Sequence, residues 1–242
     1  MNVRLRATAW VRRLVVLNAG LALMGLGTAA MLAAGMGVAP WAVFHEGVAL
    51  SSGISHGTVS QLVGLVLLLV AWAWFGQRPG IGTVLNMVML GLWIDVFRAL
   101  PWLPSPDALA PRALQHLAAT GLYAFASALY MTADIGIGPR DSVMLGAAER
   151  FRTPVRTVRT SIEVLVLGAG WALGGPVGAG TLIYALAVGP LVQACLRWLR
   201  GFVTRNPTIL NPVSAGSPPP ATDRPPTRPE RPVPRTRASP PP

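Results

Sequence analysis

The feature that most constrains the fold is a series of six apolar stretches, most of them close to the length needed to cross a bilayer. A membrane-spanning helix needs about 20 mostly apolar residues to cross roughly 30 Å of hydrocarbon. Several stretches are rich in Gly, Ala, Ser and Thr, which let helices pack closely in lipid. We predict an all-α, polytopic bundle with about six spans, at approximately 14–36, 58–76, 81–97, 113–133, 157–174 and 180–198.

The charge of the chain supports a membrane protein over a soluble one. Only 12% of the residues are charged, where a soluble domain has about a quarter. All 20 basic residues are arginines, and the net charge is +11. These arginines flank the apolar stretches and populate the tail, so we interpret them as topology signals and predict no nucleic-acid partner. The single cysteine, Cys195, excludes an intrachain disulfide.

The arginines also predict an orientation, because short cytoplasmic loops hold most basic residues. With the N-terminus inside, the outer segments contain only Arg98 and Arg112. A five-span arrangement ranks second, because it moves one arginine-rich terminus outside. A cleaved signal peptide is a weaker alternative for the first stretch, since its apolar run exceeds the usual length of about 7 to 15 residues. We predict a multi-pass protein with both termini in the cytoplasm.

This topology divides the chain into five predicted segments. They are a basic cytoplasmic N-terminus (1–13), a first membrane repeat (14–98), an external connector (99–112), a second membrane repeat (113–204) and a disordered Pro/Arg-rich cytoplasmic tail (205–242).

An internal repeat relates the two membrane segments, with an offset of 99 and later 98 residues. Each half reads as a long span, a Gly-Pro turn, a short amphipathic segment, a span, a Gly-rich turn and a span. Three spans is an odd number, so the second half is expected to be inverted relative to the first, as in many secondary transporters. The paired positions are Gly37 and Gly136, Pro40 and Pro139, Gly47 and Gly146, Gly82 and Gly180, Thr83 and Thr181, and Gly91 and Gly189.

The same motifs carry a family resemblance. They are Gly37, Pro40, Trp41, His45, Gly47, Gly53, Ser55 and Gly57; Arg78 to Thr83 with Asn86; Gly136 to Asp141 with Met144; and Arg159, Glu163, Gly174, Gly175, Gly178, Gly180, Thr181, Gly189 and Pro190. Over residues 14–200 the sequence resembles the YczE/YyaS/YitT family of bacterial integral membrane proteins, closest to the YczE-like branch. The resemblance implies an inner-membrane protein and supplies no reaction. The family often has Asp after the first-motif Trp, whereas this chain has Ala42.

Two charged residues in the second half are candidate solute or ion contacts. Arg140 and Asp141 follow Gly136, Gly138 and Pro139 in a tight turn before a helix start. A structural alternative is that Asp141 caps the following helix and interacts with its positive N-terminus.

Further candidate contacts lie along the spans. Arg159 and Glu163 share one helix face with Arg156, and an ionisable residue at membrane depth usually faces a partner or a wet cavity. The alternative is an Arg159–Glu163 pair that neutralises itself. Asp95, near the outer end of the third span, and Asn86, from the family motif, complete this set.

The segment His45-Glu46-Gly47 in the outer loop resembles the start of a zinc-protease motif. That motif requires a second His at position 49, which is Ala here. We therefore predict no metal site, and interpret His45 and Glu46 as interfacial residues or a solute entry site. The chain has no lysine for a phosphate-binding loop and no catalytic constellation. We predict no cofactor and no enzyme activity.

The tail contains 13 prolines from residue 205 onward and few apolar residues. A solvated spacer is its default interpretation, with anionic lipid or an unknown protein as alternative contacts. For the whole chain we predict a permease for a small solute or ion, with the bilayer as its environment and homo-oligomerisation left open. The alternative is a non-transporting accessory protein that regulates a partner.

Overall fold

The computed structural model describes residues 3–205, and the predicted tail at 205–242 lies outside this range apart from its first residue. Within this range the chain is all-helical. The helices are α1 (Val3–Ala34), α2 (Pro40–Ser52), α3 (His56–Phe75), α4 (Ile81–Arg98), α5 (Leu109–Thr132), α6 (Pro139–Phe151), α7 (Val155–Ala172) and α8 (Ala179–Arg205).

Four of these helices are long and apolar enough to cross a membrane. They contain the segments Trp10–Ala34, His56–Phe75, Ile81–Arg98 and Ala179–Phe202. The other two predicted spans correspond to α5 and α7, which fall below that threshold. Polar residues in their N-terminal halves explain the difference, because α5 contains Arg112 and His116 and α7 contains Arg156, Arg159 and Glu163.

The short helices α2 and α6, which the predicted repeat pairs, share several features. α2 and α6 both have 13 residues, and both begin at a proline, Pro40 and Pro139. Proline suits the first turn of a helix because it has no N–H to leave unsatisfied and its φ is already helical. Each of these short helices packs on the opposite half, α2 against α7 and α6 against α3.

A reciprocal pair of backbone hydrogen bonds joins the halves. Gly82, at the start of α4, donates its N–H to the carbonyl of Ile135 at 3.1 Å. Gly180, at the start of α8, donates its N–H to the carbonyl of Met36 at 2.8 Å. Residues 36 and 135 are 99 apart, and 82 and 180 are 98 apart, so the two bonds are equivalent under the repeat. Each half therefore places its Gly-Pro turn against a helix start of the other half.

The turn glycines are required by backbone conformation and by space. Gly37 and Gly136 have φ of 97° and 142°, which side chains rarely adopt. A Cβ on Gly37 would lie 2.5 Å from the backbone nitrogen of Gly178, across the same contact. The sequence interpretation of these positions as structural turns agrees with this geometry.

The core lies mainly between the two long helices α1 and α5. Leu21 and Met24 of α1 are fully buried, and Tyr123 and Tyr130 of α5 are nearly so. The end of α1 is capped from α5, because the Arg112 side chain donates to the carbonyls of Ala34, at 2.8 Å, and Gly35. This contact gives one of the two outer arginines a structural role.

Candidate functional site

A cavity of about 60 Å³ lies inside the bundle, between the short helices α2 and α6. It is next to the middle of α3, around residues 60–67, and both halves of the chain contribute to its wall. Its lining residues are Met24, Trp41, His45, Ser60, Val63, Gly64, Leu67, Asn86, Met87, Leu90, Tyr130, Gly138, Pro139, Arg140 and Asp141. Four predicted contacts, at 45, 86, 140 and 141, are thus brought together.

Among the residues that the structure describes, Arg140 is the only cation on the wall of this cavity. It is the second residue of α6, so the Gly-Pro turn that docks on α4 also fixes its position. One guanidinium nitrogen donates to the hydroxyl of Tyr123 at 3.1 Å. Within residues 3–205, Arg140 forms no ion pair with a carboxylate. A half-buried guanidinium that makes one hydrogen bond to a neutral group has unused donors from which a ligand can accept.

The other polar groups of the wall come mainly from the first half. Asn86 and Trp41 are buried, with 9% and 7% of their surface exposed. The indole N–H of Trp41 and Nε2 of His45 have no hydrogen-bond partner in the described part of the chain. Burial, and then His56 and Arg140, lower the pKa of His45 to about 3, so its imidazole is neutral. The first half therefore supplies neutral polar groups.

Asp141 lines the same cavity next to Arg140 in the first turn of α6. The N-cap of this helix is Gly138, which makes no side-chain capping hydrogen bond. Asp141 lies in the first turn, where its charge is close to the positive end of the helix, as the structural alternative describes.

Glu46 lies outside the cavity wall, in an ionic network at the N-terminal end of α3. It accepts two hydrogen bonds from Arg98, at 2.8 and 3.0 Å, and its Oε2 lies 2.7 Å from Nδ1 of His56. Burial raises the pKa of Glu46, but the hydrogen bonds from His56 and Arg98 lower it by more, so the net pKa is below its ordinary value. Glu46 is 8% exposed, and its ionic contacts hold α2 to α3 and α4.

Asp95 belongs to the same end of the bundle. Its carboxylate accepts from the hydroxyl of Ser55 at 2.5 Å and from the backbone N–H of Gly57 at 2.8 Å. Asp95 of α4 therefore accepts a hydrogen bond from the first turn of α3, where backbone N–H groups have no partner within the helix. The structure gives Asp95 a structural contact away from the cavity.

We expect Glu46→Gln to lower the free energy of unfolding by about 2 kcal/mol, because Arg98 and His56 lose their charged partner in a mostly buried site. The measurement is chemical unfolding in detergent. Glu163→Gln is the matched control, because its partner Arg159 is exposed and such pairs contribute less than about 0.5 kcal/mol. Equal losses in the two variants would contradict the assigned role of Glu46.

Arg159 and Glu163 also lie outside the central cavity. They pair with each other at 3.0 Å on α7, as one of the alternatives predicted. Arg159 contributes to a second pocket of about 360 Å³ at α5–α8, which shares Tyr130 and Asp141 with the central cavity. α7 and α8 are not packed along each other, whereas their equivalents α3 and α4 are. The central cavity is therefore next to a second pocket on the α7–α8 side.

Sequence reasoning missed three residues of this region. Trp41 was part of the family motif but not a predicted contact. Its position lies 99 residues before Arg140, so the predicted repeat pairs the two residues. Tyr123 and Tyr130 carried no signal beyond the apolar pattern of α5. Within residues 3–205, no three His, Cys, Asp or Glu side chains lie close enough together to hold a metal ion.

Comparisons with known proteins give one family and two relatives. Residues 11–197 match a family described as a family of unknown function, DUF6198. An uncharacterized protein of Haemophilus influenzae is 35% identical over 186 residues, which cover 77% of this chain and 84% of that protein. The uncharacterized membrane protein YczE of Bacillus subtilis is 31% identical over 192 residues, covering 79% and 86%. No solved structure matches the chain. The predicted resemblance to YczE is thereby confirmed.

Proposed function

The chain belongs to the DUF6198 family, and we propose that it is a permease for a small solute or ion in the bacterial inner membrane. The observation that carries this proposal is the central cavity, which lies where the two halves meet and has an unpaired guanidinium on its wall. Secondary transporters with repeated halves bind their solutes in this kind of place, near mid-depth and next to broken helices.

The proposed topology has six spans in two inverted halves. α5 is included because it packs between α1 and α8, where neighbouring helices shield its polar residues from lipid. α7 is included because a short helix can place Arg159 at the membrane boundary. The equivalent bonds of Gly82 and Gly180 support a two-fold relation between the halves.

The two halves differ in packing. At the predicted outer end, α3 and α4 pack together, and the Glu46–Arg98–His56 network links α2 to α3 and α4, with pockets of about 420 and 520 Å³ beside it. In the other half, α7 and α8 are apart, and a pocket of about 360 Å³ next to the cavity shares Asp141 with it. Pockets at both ends support a proposed solute path through the central cavity.

The test is gradient-driven uptake into proteoliposomes containing the full chain, with empty liposomes as the control. The panel contains monovalent ions, small carboxylates, amines and amino acids. We expect at least one solute to give uptake or current in proteoliposomes and none in empty liposomes. No flux across the panel, from protein that is folded and monodisperse, would contradict the permease and favour the accessory role.

A further inference from the structure

The central cavity contains two opposite charges that form no direct ion pair. Arg140 and Asp141 both line it and attract each other electrostatically, yet no nitrogen–oxygen contact within ion-pair distance joins them within the described residues. Consecutive residues of a helix point about 100° apart, so their side chains reach different parts of the wall. Both side chains are half-buried, and a charge that is partly removed from water without a hydrogen-bonded partner of opposite charge is costly. A ligand with two opposite charges at a short separation would offset that cost at both positions.

We propose that the cavity binds a small zwitterion of the α-amino-acid class, an inference that rests on the proposed permease function. The ligand carboxylate contacts Arg140, and the ligand ammonium contacts Asp141. A guanidinium fits a carboxylate with two parallel hydrogen bonds, and it keeps free donors here because only one of its bonds, to Tyr123, is internal.

Neutral hydrogen-bond donors and the N-terminus of the short helix α6 also favour a ligand carboxylate beside Arg140. The indole N–H of Trp41 is buried without a partner, and Trp41 lies on the cavity wall. Asn86 supplies an amide from the first half. The first turn of α6 adds the positive end of a 13-residue helix. Asp141 is the only carboxylate on this wall within residues 3–205, so it is the position for the ammonium.

The rest of the wall predicts the side chain of the ligand. Met24, Val63, Leu67, Met87 and Leu90 form an apolar surface. A volume of 60 Å³ holds about four to six water-sized groups. Glycine and alanine fit this size, and larger amino acids, aromatic ones above all, exceed it.

The charges also argue against ligands with a single charge. A simple anion bound at Arg140 would leave Asp141 without a partner and would be repelled by it. A simple cation bound at Asp141 would leave Arg140 without a partner and would be repelled by it. Only a ligand with both groups satisfies the two side chains together.

The test is ligand-induced thermal stabilisation of the purified full chain in detergent, with alanine, propionate and ethylamine as probes. Propionate lacks the ammonium of alanine, and ethylamine lacks its carboxylate. We expect alanine to bind at least tenfold more tightly than either analogue, and phenylalanine to bind weakly. Asp141→Asn is expected to reduce alanine affinity to that of propionate, while Asp107→Asn, in the exposed connector, leaves it unchanged.

Several outcomes would contradict the proposed zwitterion site without contradicting the proposed permease function. Propionate or chloride binding as tightly as alanine would replace it with an anion site, and ethylamine doing so would indicate a cation site. Uptake of some other solute in proteoliposomes, without alanine binding, would also reject it. Alanine binding without flux of any solute would instead support the site and contradict transport. The wild-type comparison needs no variant, so misfolding of Asp141→Asn does not remove the test.

Discussion

Replacing Arg140 with glutamine is expected to reduce solute flux by about 100-fold while leaving the protein as stable as the wild type, or more stable. The loss corresponds to two charge-assisted hydrogen bonds to the solute, of about 1.4 kcal/mol each. The stability follows from what the residue does in the empty site. Arg140 is half-buried, with one hydrogen bond, to Tyr123, and no ion pair in the described range. Glutamine can still donate a hydrogen bond, and it removes the cost of partly burying a charge.

The controls separate the charge from its geometry. Arg140→Lys keeps the charge but loses the planar pair of donors, so we expect intermediate flux. Arg150→Gln, at the exposed end of α6, is expected to behave as wild type in flux and unfolding. Unchanged flux in Arg140→Gln would contradict the proposed site. A loss of flux that merely followed unfolding would show that Arg140 is structural.

Gly82→Ala is expected to produce the largest loss of stability, about 3 kcal/mol or failure to accumulate as folded protein. A Cβ at position 82 would lie 2.5 Å from the carbonyl oxygen of Ile135 and 2.7 Å from its carbon. Those atoms are backbone, and the oxygen also accepts the N–H of Gly82, so neither can move away without breaking the bond. Overpacking of this kind typically costs about 1–3 kcal/mol. Unfolding in detergent measures the change.

Gly121→Ala is the matched control within a helix. No heavy atom lies within 4 Å of a Cβ built there, and alanine favours helices over glycine by about 1 kcal/mol. We expect it to be neutral or stabilising. Gly180→Ala, the repeat equivalent of Gly82→Ala, is expected to destabilise as well, because its Cβ would lie 2.5 Å from the imidazole of His116. Wild-type unfolding of Gly82→Ala would contradict the interlocked arrangement of the two halves.

The sequence predicted much of the helical order but not how the halves meet. The offset of 99 and 98 residues identified equivalent turns, and both Gly-Pro turns precede short helices as predicted. An offset establishes equivalence but does not identify a partner. The bond from Gly82 to Ile135 connects residues from different halves and depends on packing that no local pattern encodes.

The candidate site was also predicted in part. Arg140 and Asp141 were recognisable because charges beside a Gly-Pro turn are unusual in an apolar chain. Glu46 carried the same kind of signal, yet its partner Arg98 lies 52 positions away on another helix. Depth and partners of a charged residue depend on neighbouring helices, so sequence spacing does not separate a ligand contact from an internal ion pair. Trp41 was missed because tryptophan near a span end is typical of the membrane interface.

The inverted arrangement of the two halves is the central claim, and sided cysteine labelling tests it most directly. Ser51→Cys and Arg150→Cys place a thiol at equivalent, exposed positions 99 residues apart, in the last turns of α2 and α6. Both are made in a Cys195→Ala background and probed with a membrane-impermeant maleimide on intact cells and on inverted vesicles. The account predicts labelling of position 51 from outside only and of position 150 from inside only. Labelling of both positions from the same side would contradict it.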